Sequence, residues 1–223
     1  MNGLLRRCLL AFAAVALPVA LAAQGDVAGR LAGRVPPEVA RAVQDIAADV
    51  TARGLPADPL IDKAIEGGAK HVPAERVIAA VRALAGRLDQ AAAALRASGI
   101  ARPGADAVEG GADALNAGLS PDQVRGLASL SRPPYDPALT LRVAAELAGL
   151  GVGPEQTLEL LRDVIKAGKT PSDLLELPAK VALGIARGAT PPQAAQGLTR
   201  ASANTPPPHP ANPSSGKGNP HKP

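Results

Sequence analysis

The stretch Gly118-Leu119-Ser120-Pro121-Asp122-Gln123 decides how this chain folds, because it holds every signal needed to stop one helix and start another. Glycine takes the left-handed backbone conformation that closes a helix C-terminus. The Ser120 hydroxyl offers an acceptor to the free amides of the next helix. Pro121 fits the first helical turn, where its missing N–H costs nothing. Gln123, three residues past the cap, reaches back to the cap's own amide. The same grammar returns at Gly151-Val152-Gly153-Pro154-Glu155-Gln156, Gly168-Lys169-Thr170-Pro171-Ser172-Asp173 and Gly188-Ala189-Thr190-Pro191-Pro192-Gln193. A chain punctuated in this way predicts an all-α fold, an array of short, well-capped helices packed as hairpins.

Apolar spacing places the helices between the punctuation marks. Val39, Val43, Ile46 and Val50 recur at intervals of 4, 3 and 4 within 36–53, which is one helical face. Asp58-Pro59 opens a second helix running to Lys70, with Asp58 as its cap, and Pro73 with Glu75 opens a third. In that third helix Val77, Val81, Leu84, Leu88, Ala91 or Ala92, and Leu95 keep the 4-3 rhythm until Gly99. Barely three heptads of this pattern describe a helix packed on its neighbours rather than a coiled coil. Further helices are expected at 106–117, 121–130, 137–149, 154–167, 171–177, 178–187 and 191–201, with Pro178 separating two of them.

Two echoes suggest duplication. Ala64-Ile65-Glu66-Gly67-Gly68-Ala69 recurs as Ala107-Val108-Glu109-Gly110-Gly111-Ala112, 43 residues later. Proline restarts at 121, 154, 171 and 191 are spaced 33, 17 and 20 residues apart. A helix pair of about 33 to 43 residues falls in the range of helical solenoid repeats. The Trp and Thr-Pro-Leu-His signatures of tetratricopeptide and ankyrin repeats are missing, so a degenerate solenoid and an irregular bundle both stay open. The paired glycines read as close helix approach or a helix break, not as phosphate loops, since no strand precedes them and no lysine follows.

The ends of the chain differ from its middle. Residues 1–23 read as a signal peptide: Arg6 and Arg7, an apolar run from Cys8 to Leu21 and small residues at a cleavage site. That run is shorter than the roughly 20 residues a spanning helix needs, so cleavage is expected rather than anchoring. Residues 24–35 form a flexible lead, 36–130 a first helical half, 131–135 a proline-rich hinge and 136–202 a second half. Residues 203–223 are a proline-rich tail with nothing apolar to bury, expected to be disordered. Past the signal peptide there is no Cys, Phe, Met or Trp, and stability must come from packing and capping rather than disulfides. The formal charge of +4 belongs to the ends, because residues 24–202 hold 20 basic and 20 acidic side chains. That balance, with no aromatic platforms for base stacking, argues against nucleic acid as a partner.

Catalytic chemistry finds little support. His71 is the one histidine in the helical region, in the turn Lys70-His71-Val72-Pro73 with Glu66 and Glu75 near in sequence. A carboxylate-oriented base is conceivable there, but a solvated turn residue is the preferred reading. His209 and His221 lie in the tail and define no metal site. The serines sit at turns and caps, no Gly-x-Ser-x-Gly elbow exists, and Glu155 with Glu159 reads as an exposed pair. The residues therefore point to no catalytic, cofactor-binding or metal site. The expected function is an exported, non-enzymatic scaffold whose partner is another envelope or secreted protein. The alternatives are a surface-associated protein acting through its basic tail and, third, a hydrolase. The candidate contact residues are Tyr135, Pro133 and Pro134, with plugging a thin core between the two halves the preferred role for Tyr135.

Overall fold

The computed structural model describes residues 27–203. The signal-peptide reading of 1–23 and the tail reading beyond Ala203 lie outside the described residues. A helical turn at 27–31 is followed by ten helices, and no strand occurs among the described residues. They are α1 (Pro37–Ala52), α2 (Asp58–Ala69), α3 (Ala74–Ala97), α4 (Ala105–Asn116) and α5 (Pro121–Leu130). Then follow α6 (Pro137–Gly149), α7 (Pro154–Lys166), α8 (Pro171–Leu175), α9 (Leu177–Ala186) and α10 (Pro191–Ala203). The all-α array inferred from the punctuation is the architecture found, and Pro178 does mark a boundary, at the second position of α9.

Five of the connections share one four-residue design, at 70–73, 117–120, 150–153, 167–170 and 187–190. The link between α4 and α5 shows how it works. Gly118, at φ +101°, turns the chain left-handed. Its amide then reaches the carbonyl of Leu115 (3.1 Å), and the amide of Leu119 reaches Ala114 (3.0 Å). This paired closure satisfies carbonyls that the helix end leaves open. Leu119 swings into the core, 4% exposed, and Ser120 caps α5 in a reciprocal box with Gln123. Thr170 and Asp173 form the same box on α8, and Thr190 and Gln193 approach it on α10. Leu119, Val152 and their counterpart Leu55 are all buried apolar plugs one residue past the turning glycine.

The turn after α2 departs from the rule. His71 stands where the other links carry glycine, with φ +52°, and it is exposed. Its amide bonds to Gly68 (3.0 Å) and that of Val72 to Gly67 (2.9 Å), so the same closure forms around a residue with a Cβ. Asp58 differs from expectation too. It is the first residue of α2 rather than a side-chain cap, and its carboxylate pairs with Arg30.

Helices stack by close neighbours. The main packings join elements no more than three places apart in the chain. The contacts α1·α3, α3·α5, α5·α7 and α7·α10 form one row, and α4·α6 and α6·α9 form another. The N-terminal ends of α4 and α6 lie side by side, around Ala105–Ala107 and Asp136–Ala138, so these two run the same way. Alternate helices running parallel are the signature of stacked hairpins. The most extensive of these packings, α4 on α6, crosses 131–135, and one core continues through that segment. The proline-rich stretch therefore joins two halves of a shared core instead of hinging separate bodies. Residues 27–31 likewise are no flexible lead, because Val27 and Leu31 share a helical face and sink into the core.

Alanine and glycine set the helix spacing. Where the sequence stripe names Ile46 and Leu84, the core positions are taken by Ala47 and Ala85, and the larger side chains lie half-buried beside them. Small residues occupy the lines of closest approach, so bulk is displaced to the groove edges. The glycine pairs do the same without breaking their helices. A Cβ on Gly68 would stand 2.4 Å from the Arg34 carbonyl oxygen, and one on Gly111 would stand 2.9 Å from the Ala91 methyl.

Three substitutions check this account by thermal denaturation. Gly68→Ala should destabilise the protein by about 1–3 kcal/mol, because a backbone carbonyl blocks the new methyl. Gly86→Ala, exposed in mid-helix with nothing within 4 Å, should stabilise it by about 0.5–1 kcal/mol. His71→Gly should raise the melting temperature, relieving a left-handed residue that costs about 1 kcal/mol.

Candidate functional site

One contact is missing from the stacking pattern. By analogy with α4·α6 in the second row, α2 and α4 should pack together, yet theirs is not among the main helix packings. Instead a cleft of about 450 Å³ lies between them, floored by α3. Leu84 and Leu88 of α3 make an apolar floor, with Pro59 and Ala112 at the flanks. Asp62, Lys63 and Glu66 stand on the α2 wall, and Glu109 and Asp113 on the α4 wall. The spacing explains the placement: residues i and i+4 share a helix face, so 62 and 66, and 109 and 113, each point the same way.

The two walls differ electrically. On α2 the acids are compensated, since Arg30 bonds to both Asp58 and Asp62, and Lys63 and Lys70 both grip Glu66. Hydrogen bonds from Lys63 and Lys70, then their charges, pull the Glu66 carboxyl down to about 2. On α4 no ion pair among the described residues reaches Glu109 or Asp113. Partial burial pushes Glu109 above the usual carboxylate range, and the negative charges of Asp106, Asp113 and Asp58 push it further. Burial raises Asp113 as well, and the Arg142 charge opposes the rise at both groups. Unpaired carboxylates facing other acids leave this wall with negative potential.

The residues singled out from sequence lie elsewhere. Tyr135 is 8% exposed, and its hydroxyl donates to the Lys169 carbonyl, tying the segment before α6 to the loop before α8. Burial raises its phenol, with the Asp173 charge adding to the effect. Pro133 and Pro134 beside it are exposed. The ring itself therefore presents little surface, and any contact here would fall on the two prolines. His71 is exposed at its turn, and Glu66, its proposed carboxylate neighbour, is already held by two lysines. Among the described residues no group of three or more His, Asp or Glu side chains is placed to hold a metal ion, and no helix is long and apolar enough to cross a membrane.

No family model, curated protein or solved structure matches the chain. The cleft itself was hidden from sequence reasoning. One signal was present: the duplicated Glu-Gly-Gly segment, whose second copy puts Glu109 on the α4 wall as its first puts Glu66 on the α2 wall. The juxtaposition of those copies across α3 needed the fold.

Two measurements test this description. A carboxyl raised in the folded state binds protons more readily folded than unfolded, so it weakens the fold at neutral pH. That penalty fades as pH falls through the raised value. The double substitution Glu109→Gln with Asp113→Asn should therefore raise the melting temperature at pH 7, with the gain vanishing near about pH 3. Glu66 has the opposite sign, and Glu66→Gln should be mildly destabilising at pH 7, an effect lost as pH falls from 4.5 towards about 2. Separately, Tyr135→Phe should cost about 0.5–1.5 kcal/mol in denaturant unfolding through the lost hydroxyl bond.

Proposed function

We propose that this chain is an exported, non-enzymatic helical scaffold that binds another envelope or secreted protein. The observation that carries the reading is the interruption of an otherwise regular helix stack, which leaves an open cleft between α2 and α4. Stacked hairpins present extended surfaces, and a gap in the stack is a concave one. The binding reading also fits where the special residues are spent. Gly118, Ser120, Thr170 and Gln123 serve turns and caps, His71 occupies a turn, and Tyr135 fastens a loop. The export reading rests on the charged, apolar and small-residue sequence of residues 1–23.

The test is in-cell crosslinking of the tagged protein followed by mass spectrometry, beside a form lacking residues 203–223. Recovery of one defined partner by both forms supports the helical array as the binding module. Recovery by the full chain alone would transfer the function to the tail and favour the surface-associated alternative. Capture of nothing by either form would overturn the scaffold reading. N-terminal sequencing of the extracytoplasmic material should begin at Ala23 or Gln24.

A further inference from the structure

Resting on the binding reading, we infer that the cleft between α2 and α4 docks an extended basic peptide segment of the partner, with its side-chain stems on Leu84 and Pro59 and its cationic ends on Glu109 and Asp113.

Charge selects the occupant. The helical region as a whole is balanced, with 20 basic and 20 acidic side chains between residues 24 and 202. The α2 wall is neutralised by Arg30, Lys63 and Lys70, whereas the two carboxylates of the α4 wall enter no ion pair among the described residues. A cation is the complement of that wall, and an anionic polymer such as nucleic acid is repelled by it. The floor then narrows the choice. Half-buried Leu84 and Pro59 offer apolar surface in the same cleft as the acids, which suits lysine or arginine, whose aliphatic stems lie on apolar ground while the head reaches a carboxylate. A bare metal ion would gain nothing from such a floor.

Geometry selects an extended chain. Both walls are 12-residue helices, each about 18 Å long at about 1.5 Å per residue. Carboxylates at i and i+4 are offset by about 6 Å along the helix. Alternate side chains of an extended peptide are about 6.6 Å apart. A segment of about five or six extended residues therefore spans the cleft, and its alternate basic side chains stay in register with Glu109 and Asp113.

The experiment uses the exported chain with fluorescein-labelled hexalysine as probe, read by fluorescence polarisation at low ionic strength. Binding should weaken steeply with salt. The Glu109→Gln, Asp113→Asn double variant should bind at least about tenfold more weakly, equivalent to about 1.4 kcal/mol. It should melt no lower than the parent, so loss of binding is not loss of fold. The Glu155→Gln, Glu159→Gln variant, altering an acidic pair outside the cleft, should bind like the parent. Equal weakening in both variants, or no saturable binding, would overturn the inference. Spermine displacing the probe more tightly than unlabelled hexalysine would also overturn it, in favour of a small polyamine. If crosslinking recovers a partner that the cleft variant retains in full, this inference fails while the scaffold reading stands.

Discussion

The chain reversal in the five four-residue links is the constraint on which the rest of the molecule depends. In these links a left-handed residue closes the helix and the next helix begins within four positions, with Leu119 and Val152 dropping into the core at two of them. Links this short cannot carry the chain across the molecule, so a helix packs on the one before it or on a near neighbour, as α8 does on α6. Close-neighbour packing follows directly, and with it the row-like stacking of α1, α3, α5, α7 and α10. Because the reversal is held by backbone bonds, it tolerates variation in the residue that turns. His71 completes the same pair of hydrogen bonds as Gly118 despite its Cβ.

A second constraint comes from the composition. Tyr135 is the only aromatic residue in the described part of the chain, and much of the core is alanine and valine. Small side chains bury little area each, so a core built from them needs helices at close range. Gly67, Gly68, Gly110, Gly111 and Gly184 supply that closeness where even a methyl group would collide or crowd. No buried side-chain nitrogen or oxygen among the described residues lacks a hydrogen-bond partner. Ser131, Thr140 and Thr157, buried in the core, each donate to a carbonyl of their own or an adjoining turn. The buried polar groups are thus satisfied locally.

The cleft shows what happens where these constraints are relaxed. Between α4 and α6, glycine and alanine bring the backbones together. Between α2 and α4 the facing side chains are long and charged, Asp62, Lys63 and Glu66 against Glu109 and Asp113, and no small residues there draw the helices together. Leu84 remains half-exposed at the floor as a result, a larger side chain pushed aside from the close line held by Ala85. The same displacement places Ile46 in the shallower groove between α1 and α3, where Arg53 bridges Asp49 and Asp89 and fills the opening with paired charge. Two grooves of similar origin therefore differ in character, one closed electrically and the other left negative along one wall.

The sequence by itself determined the helices, their ends and their order, because capping and chain reversal are local chemistry written within six residues. Helix starts at Pro121, Pro137, Pro154, Pro171 and Pro191 follow from that local code. What it could not determine was which faces meet. Counting large apolar residues put Ile46 and Leu84 in the core, whereas packing chose Ala47 and Ala85, since closeness of approach is a property of two helices and not of one. Tyr135 read as a plug for the core in preference to an exposed anchor, but only the fold set Lys169 within reach of its hydroxyl. Glu66 and Glu109 were visible as a repeated pattern, but only the tertiary structure set them on opposite walls of one cleft and gave lysine partners to Glu66 alone. Local geometry is encoded in neighbours along the chain, while a site is made by residues that neighbour each other only in space.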